Sequence, residues 1–154
     1  MAISRVIFVV ARFIGSICMD AKLIKKASSA LKKFKDIEFA YIFGSVAKNG
    51  GGKVGDIDIG IYLKADPATE KRLDIQISVA EKIEKIFSKR ADVVILNTAS
   101  CFLRHQVVKY GELLFERKHG LDNKFRFNMM TEYFDNLFLH NFFYSRLKKG
   151  WSHG

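Results

Sequence analysis

Between Tyr41 and Leu63 the chain reads YIFGSVAKNGGGKVGDIDIGIYL, and no other stretch limits its fold as tightly. An aromatic, β-branched run ends on Gly44-Ser45, a glycine-rich turn follows, and an alternating strand then carries Asp56 and Asp58. A period of two sends both carboxylates to one face of that strand and Ile57 and Ile59 to the other. Two like charges held so close repel, and a hard cation is the natural compensation, Mg²⁺ and Mn²⁺ both preferring oxygen ligands. Glycine at a strand end permits a tight turn and the close approach of a ligand. The Ser45 hydroxyl and neighbouring N–H groups suit a phosphate there, and Lys48, one turn on, adds a positive charge. A surface DxD pair also arises by chance, so the two acids alone imply only a cation site.

Around this stretch the chain alternates helix and strand. Leu23, Ile24, Ala27, Leu31 and Phe34 repeat at helical spacing, with lysines at 22, 25, 26, 32, 33 and 35 on the other side. This predicts a helix over 20–35 with Asp20 as N-cap. IEFAYIF, 37–43, reads as a strand. Asp66, Pro67 and Ala68 mark a turn, and Leu73, Ile77, Ala80, Ile83 and Phe87 a helix to about Phe87. ADVVILN, 91–97, is a third strand with Asp92 at its start, where a third carboxylate would suit a two-metal site. A short helix over 99–109 ends at Tyr110-Gly111, glycine fitting a left-handed stop. LLFE, 113–116, is a fourth strand. Asp122 then suits the cap of a long helix to about Lys149, whose Phe125, Met129, Met130, Tyr133, Phe134, Leu137, Phe138, Phe142, Phe143 and Leu147 cover more than one stripe. One helix cannot bury all of them on a small sheet, so an interface is expected. The alternative is that the apolar N-terminal segment covers them.

The order implies an α/β (α+β) domain, a small mixed sheet backed by helices on one face, with a long C-terminal helix. The division is 1–19, an apolar N-terminal segment; 20–118, the main domain; and 119–154, an amphipathic helix and tail. Residues 6–19 are shorter than the roughly 20 apolar residues of a membrane span, and Arg12 interrupts them. Arg12 also argues against a signal peptide. An upstream extension ahead of Met19 is the other reading. Cys18 and Cys101 make neither a disulfide framework nor a zinc spacing; they fit a reducing compartment and say little more, and a cytoplasmic location is the expectation. The formal charge of +10 favours anionic partners without choosing among nucleotide, nucleic acid and acidic protein. Ser45 lacks a G-x-S-x-G setting, the glycines at 50–52 lack P-loop spacing, and His105, without a metal-spaced companion, reads as structural or surface.

Gly44-Ser45, ten intervening residues and Asp56-Ile57-Asp58 together resemble the GS-x₁₀-DxD signature of the nucleotidyltransferase superfamily related to DNA polymerase beta. The short chain, ADVVILN and YGELLFE resemble its minimal nucleotidyltransferase (MNT) group, which includes MntA-like antitoxins paired with HEPN toxins. The resemblance covers about 20–118. It implies a polymerase-beta-like fold and Mg²⁺ (or Mn²⁺) held by Asp56, Asp58 and Asp92. Asp92 would also help deprotonate the acceptor hydroxyl, and Gly44, Ser45 and Lys48 would contact the nucleotide. Lys48 stands where many relatives have arginine, Gly55 where they often have serine, and the triplet at 50–52 is a further departure. None of these touches the carboxylates.

The implied reaction moves AMP from ATP to a hydroxyl, releasing pyrophosphate. In the MntA-like group the acceptor is a tyrosine of the HEPN toxin, whose RNase activity is silenced. The expected protein is thus an antitoxin enzyme in a homo- or hetero-oligomer with a HEPN-domain partner, with no membrane role and no requirement for nucleic acid. Transfer to a small molecule or RNA, and a non-enzymatic partner-binding module, stay open beside it.

Overall fold

The computed structural model describes residues 21–44, 55–65 and 68–150, the last as backbone alone at 140, 141, 143–145 and 147–150. Asp20, Ser45, Lys48, the glycines at 50–52, Pro67 and the apolar segment 1–19 lie outside the described residues, as do the Phe143 and Leu147 side chains. The elements are α1 (Ala21–Leu31), β1 (Ile37–Phe43), β2 (Ile57–Leu63), α2 (Thr69–Phe87), β3 (Ala91–Ile95), α3 (Cys101–Tyr110), β4 (Glu112–Glu116) and α4 (Leu121–Gly150).

The four strands form one sheet in the order β3-β2-β1-β4. β1 is central, antiparallel to both β2 and β4, and six of its seven residues are buried, as its unbroken apolar run requires. β2 and β3 run parallel, which needs a crossover connection, and the 19-residue α2 provides it. Asn97, expected inside the third strand, lies past its end and extends the ladder with its side chain. Its Oδ1 accepts from the Leu63 N–H at 2.8 Å and its Nδ2 donates to the Leu63 carbonyl at 3.0 Å.

The sheet is covered on both faces, not on one as the element order suggested. Ile42, Ile57, Ile59, Ile61, Val93 and Ile95 pack against Ala27 and Leu31 of α1 and Val79 and Ile83 of α2. Phe39 and Tyr41 join Leu96, Val107 of α3 and Phe125 of α4 in a second core on the other face. The odd–even alternation along β1 and β2 populates both sides with apolar groups, so each face needs its own helices. Gly60 lets α3 come close, because a Cβ there would stand 3.2 Å from Leu96 and 3.3 Å from Val107.

Two expectations about helix ends change. Gly111 is extended (φ −87°, ψ 160°), not left-handed. Its lack of a side chain is needed for space: a Cβ would overlap the Val107 carbonyl and stand 3.1 Å from the Ile42 carbonyl oxygen and 3.2 Å from the Phe43 Cβ. Asp122 does not cap α4 but lies within it. Glu116 takes that role, its Oε1 accepting from the Gly120 N–H at 3.4 Å and its Oε2 from the Asp122 N–H at 3.3 Å. At the C-terminal end of α1, Arg117 donates to the carbonyls of Lys32, Phe34 and Ile37 at 3.0–3.1 Å, tying the α1–β1 turn to β4.

The 30 residues of α4 span about 45 Å. Phe125 and Met129 are buried against the body. Phe127, Phe134, Phe138 and Phe142 are exposed, and at 100° per residue they form a second stripe opposite the first. No helix among the described residues is long and apolar enough to cross a membrane.

Candidate active site

β1 ends, and β2, β3 and β4 begin, at one end of the sheet. There Phe43 pairs with Asp58 across the antiparallel ladder, and Asp58 pairs with Asp92 across the parallel one. Residues in register on neighbouring strands direct their side chains to the same face. Ile57, Ile59 and Val93 are buried on the α1/α2 side, so Asp58 and Asp92 belong to the face of α3 and α4. Asp58 is half-buried and Asp92 exposed.

Asp56 is exposed in a bend just ahead of β2, one residue outside the strand expected to include it. The strand begins at Ile57, whose N–H donates to the Arg90 carbonyl at 2.8 Å, the first link between β2 and the approach to β3. Among the described residues, no group of three or more His, Cys, Asp and Glu side chains is drawn close enough to hold a metal ion. The strand register, and not a closed cluster, is what brings Asp58 and Asp92 together. As a donor set, the three carboxylates offer only hard oxygen, which suits Mg²⁺ or Mn²⁺ and disfavours softer ions.

Gly44 gives the site its sharpest geometry. Its φ of +78° lies in the left-handed region that a side chain rarely adopts. A Cβ built there would overlap Asp58 Oδ2 and stand 2.6 Å from its Cγ. The turn after β1 is therefore pressed onto the carboxylate of β2, so that backbone and acid share one small volume. Only glycine allows this approach.

Sequence reasoning missed a buried polar group beneath the same face. The Tyr41 hydroxyl donates to Asp122 Oδ1, and Arg126 Nε donates to Asp122 Oδ2 at 2.8 Å. The Arg126 guanidinium stands 5.4 Å over the Tyr41 ring. Burial, reinforced by the bond to Asp122, holds the Tyr41 phenol well above its ordinary pKa. The signal in the sequence was the i,i+4 pair Asp122–Arg126; that its partner is a tyrosine 81 residues earlier is a tertiary fact. The group fastens α4 to β1, the strand that Gly44 follows. His105, read as structural or surface, stacks on Tyr133 of α4 with centroids 3.9 Å apart, and Arg104 pairs with Glu132 beside it.

The family described as polymerase beta, nucleotidyltransferase matches residues 25–120. No curated protein sequence matches the chain. Among solved structures, the chain is similar to one of the tri-AMPylated Shewanella oneidensis HEPN toxin in complex with MNT antitoxin. It has 21% identity to that structure over 84% of this chain and 99% of that one, with a TM-score of 0.65. It is similar to a toxin–antitoxin structure with AMP-PNP at 21% identity, over 81% and 98% of the two chains, with a TM-score of 0.66. A MntA-HepT toxin–antitoxin structure has 19% identity over 84% and 99%, with a TM-score of 0.64. At these identities the likeness establishes the shared fold.

Proposed function

The chain belongs to the polymerase beta nucleotidyltransferase family, and from that premise we propose that it transfers AMP from ATP to a tyrosine hydroxyl of a HEPN-type toxin and so acts as the toxin's cytoplasmic antitoxin. The acceptor oxygen forms a bond to the α-phosphorus, the bond to the bridging oxygen breaks, and pyrophosphate leaves. The observation that carries this reading is the Gly44 turn packed on Asp58 with Asp92 in register beside it. It supports a site where backbone and carboxylates converge on a phosphate chain.

Asp56, Asp58 and Asp92 are the residues that would hold Mg²⁺ or Mn²⁺. When bound, the ion neutralises charge on the phosphoryl oxygens and polarises the acceptor hydroxyl. Asp92, exposed at the start of its strand, is the residue that would take the acceptor's proton. Asp58, half-buried against Gly44, is the carboxylate that would position the donor. Gly44 lets the triphosphate approach the main chain, with Ser45 and Lys48 as its further contacts. The segment 119–154 forms the interface, and the outward phenylalanines of α4 are its contact surface for the toxin. The likeness to the complexes with HEPN toxin and with AMP-PNP supports both partner and nucleotide.

The test mixes purified chain, Mg²⁺, α-labelled ATP and the protein encoded next to it. Label should appear on a tyrosine of that protein, and Asp58→Asn or Asp92→Asn should slow transfer about 10²-fold or more. Transfer at an undiminished rate in both variants would overturn the site assignment. Neutralisation of the toxin by Asp58→Asn without any transfer would make the chain a binding module, and labelling of RNA or a small molecule in place of protein would change the acceptor.

A further inference from the structure

We propose that the groove between α2 and the outer edge of β3 binds the carboxyl-terminal end of an extended, apolar peptide segment of a partner protein. The site uses none of the residues assigned to the nucleotide. β3 is an edge strand, so half of its backbone groups face away from β2. The Ile57 N–H donates to the Arg90 carbonyl and the Leu96 N–H to the Ile61 carbonyl, both at 2.8 Å. In a parallel ladder this sets Asp92 and Val94 toward β2 and turns the N–H and C=O groups of Ala91, Val93 and Ile95 outward. The chain itself engages three of these. The Ala91 N–H donates to Glu84 Oε1 at 3.1 Å, Gln76 Nε2 donates to the Val93 carbonyl at 2.8 Å, and the Thr98 and Ala99 N–H groups donate to the Ile95 carbonyl at 3.4 and 3.2 Å. Among the described residues, no acceptor stands against the outward N–H of Val93 or of Ile95. Both residues are buried, and they line a groove of about 280 Å³ with Thr69, Arg72, Leu73 and Gln76. Arg72 is the charged residue of that lining and donates to Thr69 Oγ1 at 3.5 Å; its guanidinium has five donors, enough to serve a ligand beside its present partners. Leu73 and, one turn on, Ile77 stand exposed on α2.

Backbone N–H groups taken out of water without an acceptor are costly and rare in folded chains. An edge that keeps its donors open while its carbonyls are engaged selects its occupant. A second copy of this chain, pairing edge to edge, would bring N–H groups against carbonyls already held by Gln76 and by the turn at Thr98, so self-pairing is disfavoured. A carboxylate offers acceptors alone, and its charge complements both the N–H donors and the Arg72 guanidinium. The spacing agrees. The Val93 and Ile95 N–H groups are two residues apart, about 6.7 Å in a strand, and so are a terminal carboxylate and the carbonyl two residues before it in an extended peptide. Leu73 and Ile77 are four residues and about 6 Å apart along α2, close to the repeat of alternate side chains in such a peptide. The implied ligand therefore carries apolar side chains at its last residue and at the residue two before it, with main-chain hydrogen bonds supplying the rest of the contact.

The test is fluorescence anisotropy with the peptide Ser-Gly-Thr-Val-Thr-Val, labelled at its amino end and prepared both as the free acid and as the carboxyl amide. The free acid should bind saturably below about 1 mM. The amide should bind at least about 10-fold more weakly, because hydrogen bonds to a charged acceptor are the stronger ones. Leu73→Gln/Ile77→Gln removes the apolar wall at two exposed positions and should weaken the free acid at least about 10-fold. Glutamine is a good helix former, so the circular dichroism of that variant should match wild type. Residue-resolved amide hydrogen exchange should show the Val93 and Ile95 N–H groups slowed by the free acid, with β4, the opposite edge, unchanged. The proposal falls if the free acid does not bind by about 1 mM, if the amide or the Leu73→Gln/Ile77→Gln variant binds as tightly, or if the newly protected amides lie outside β3.

Discussion

Gly44→Ala separates the cost of a strained backbone from the cost of a displaced carboxylate. At φ +78° an alanine pays about 1–2 kcal/mol for the left-handed conformation. In addition, Asp58 Cγ must retreat from 2.6 Å to the 3.4 Å at which ordinary contact begins, and Oδ2 must move further. A shift of about 1 Å at a reacting group is enough to cost about 10²-fold in rate. The matched control is Gly120, whose φ is +89° and whose added Cβ would meet nothing within 4 Å. Gly120→Ala therefore carries the backbone penalty alone. Both variants should melt about 2–8 °C below wild type, from 1–2 kcal/mol at about 2–4 °C per kcal/mol for a chain of this size. Only Gly44→Ala should lose nucleotidyl transfer, by about 10²-fold, in single-turnover assays with labelled ATP well below the melting range. If Gly44→Ala transfers AMP as fast as Gly120→Ala, the turn does not set the position of Asp58, and the reasoning that joins them is wrong.

Asn97→Ala leaves the buried Leu63 N–H and C=O without their side-chain partners, and urea denaturation should show a loss of about 1–3 kcal/mol. Arg117→Lys keeps the charge but cannot reach three carbonyls at once, so it should lose about 1–2 kcal/mol, close to Arg117→Ala; full recovery by lysine would show that charge, not the fork, matters. Tyr41 is held neutral by burial and its bond to Asp122, so its folded pKa lies above its unfolded value near 10. The stability it contributes is complete below that value and is lost as pH rises above it, and Tyr41→Phe should flatten the fall in stability measured from about pH 9 to 11. An unaltered alkaline slope in that variant would assign the pH sensitivity to other groups.

The sequence by itself determined the ingredients. The aromatic, β-branched run 37–43 set the span of β1 and LLFE the place of β4, while period-two alternation set the split of Asp58 from Ile57 and Ile59, because which face a strand residue occupies is a local property. The spacing from Gly44-Ser45 to Asp56-Ile57-Asp58 pointed to a phosphate site before any coordinates, and residues 25–120 match the family it indicated. The apolar pattern ending at Phe87 located the last residue of α2, although Leu73 and Ile77 of that pattern stand exposed and Ile75 and Val79 are buried in their place. The apolar residues of α4 could be counted as too many for one stripe, though not assigned to an inner and an outer one.

What tertiary structure alone decided is relative position between segments far apart in sequence. Asp58 meets Asp92 because a crossover helix sets a parallel register, and no local pattern encodes that register. Asp122 was read as a cap because acids favour helix starts, but a buried tyrosine hydroxyl from β1 and Arg126 hold it, and Glu116 caps in its place. Gly111 was read as a left-handed stop, but its constraint is the nearness of Val107, Ile42 and Phe43. Gly44 shows both levels at once. Its place at a strand end was legible as a turn, while the reason no other residue can stand there is an oxygen of Asp58, brought against it only when β1 and β2 pair.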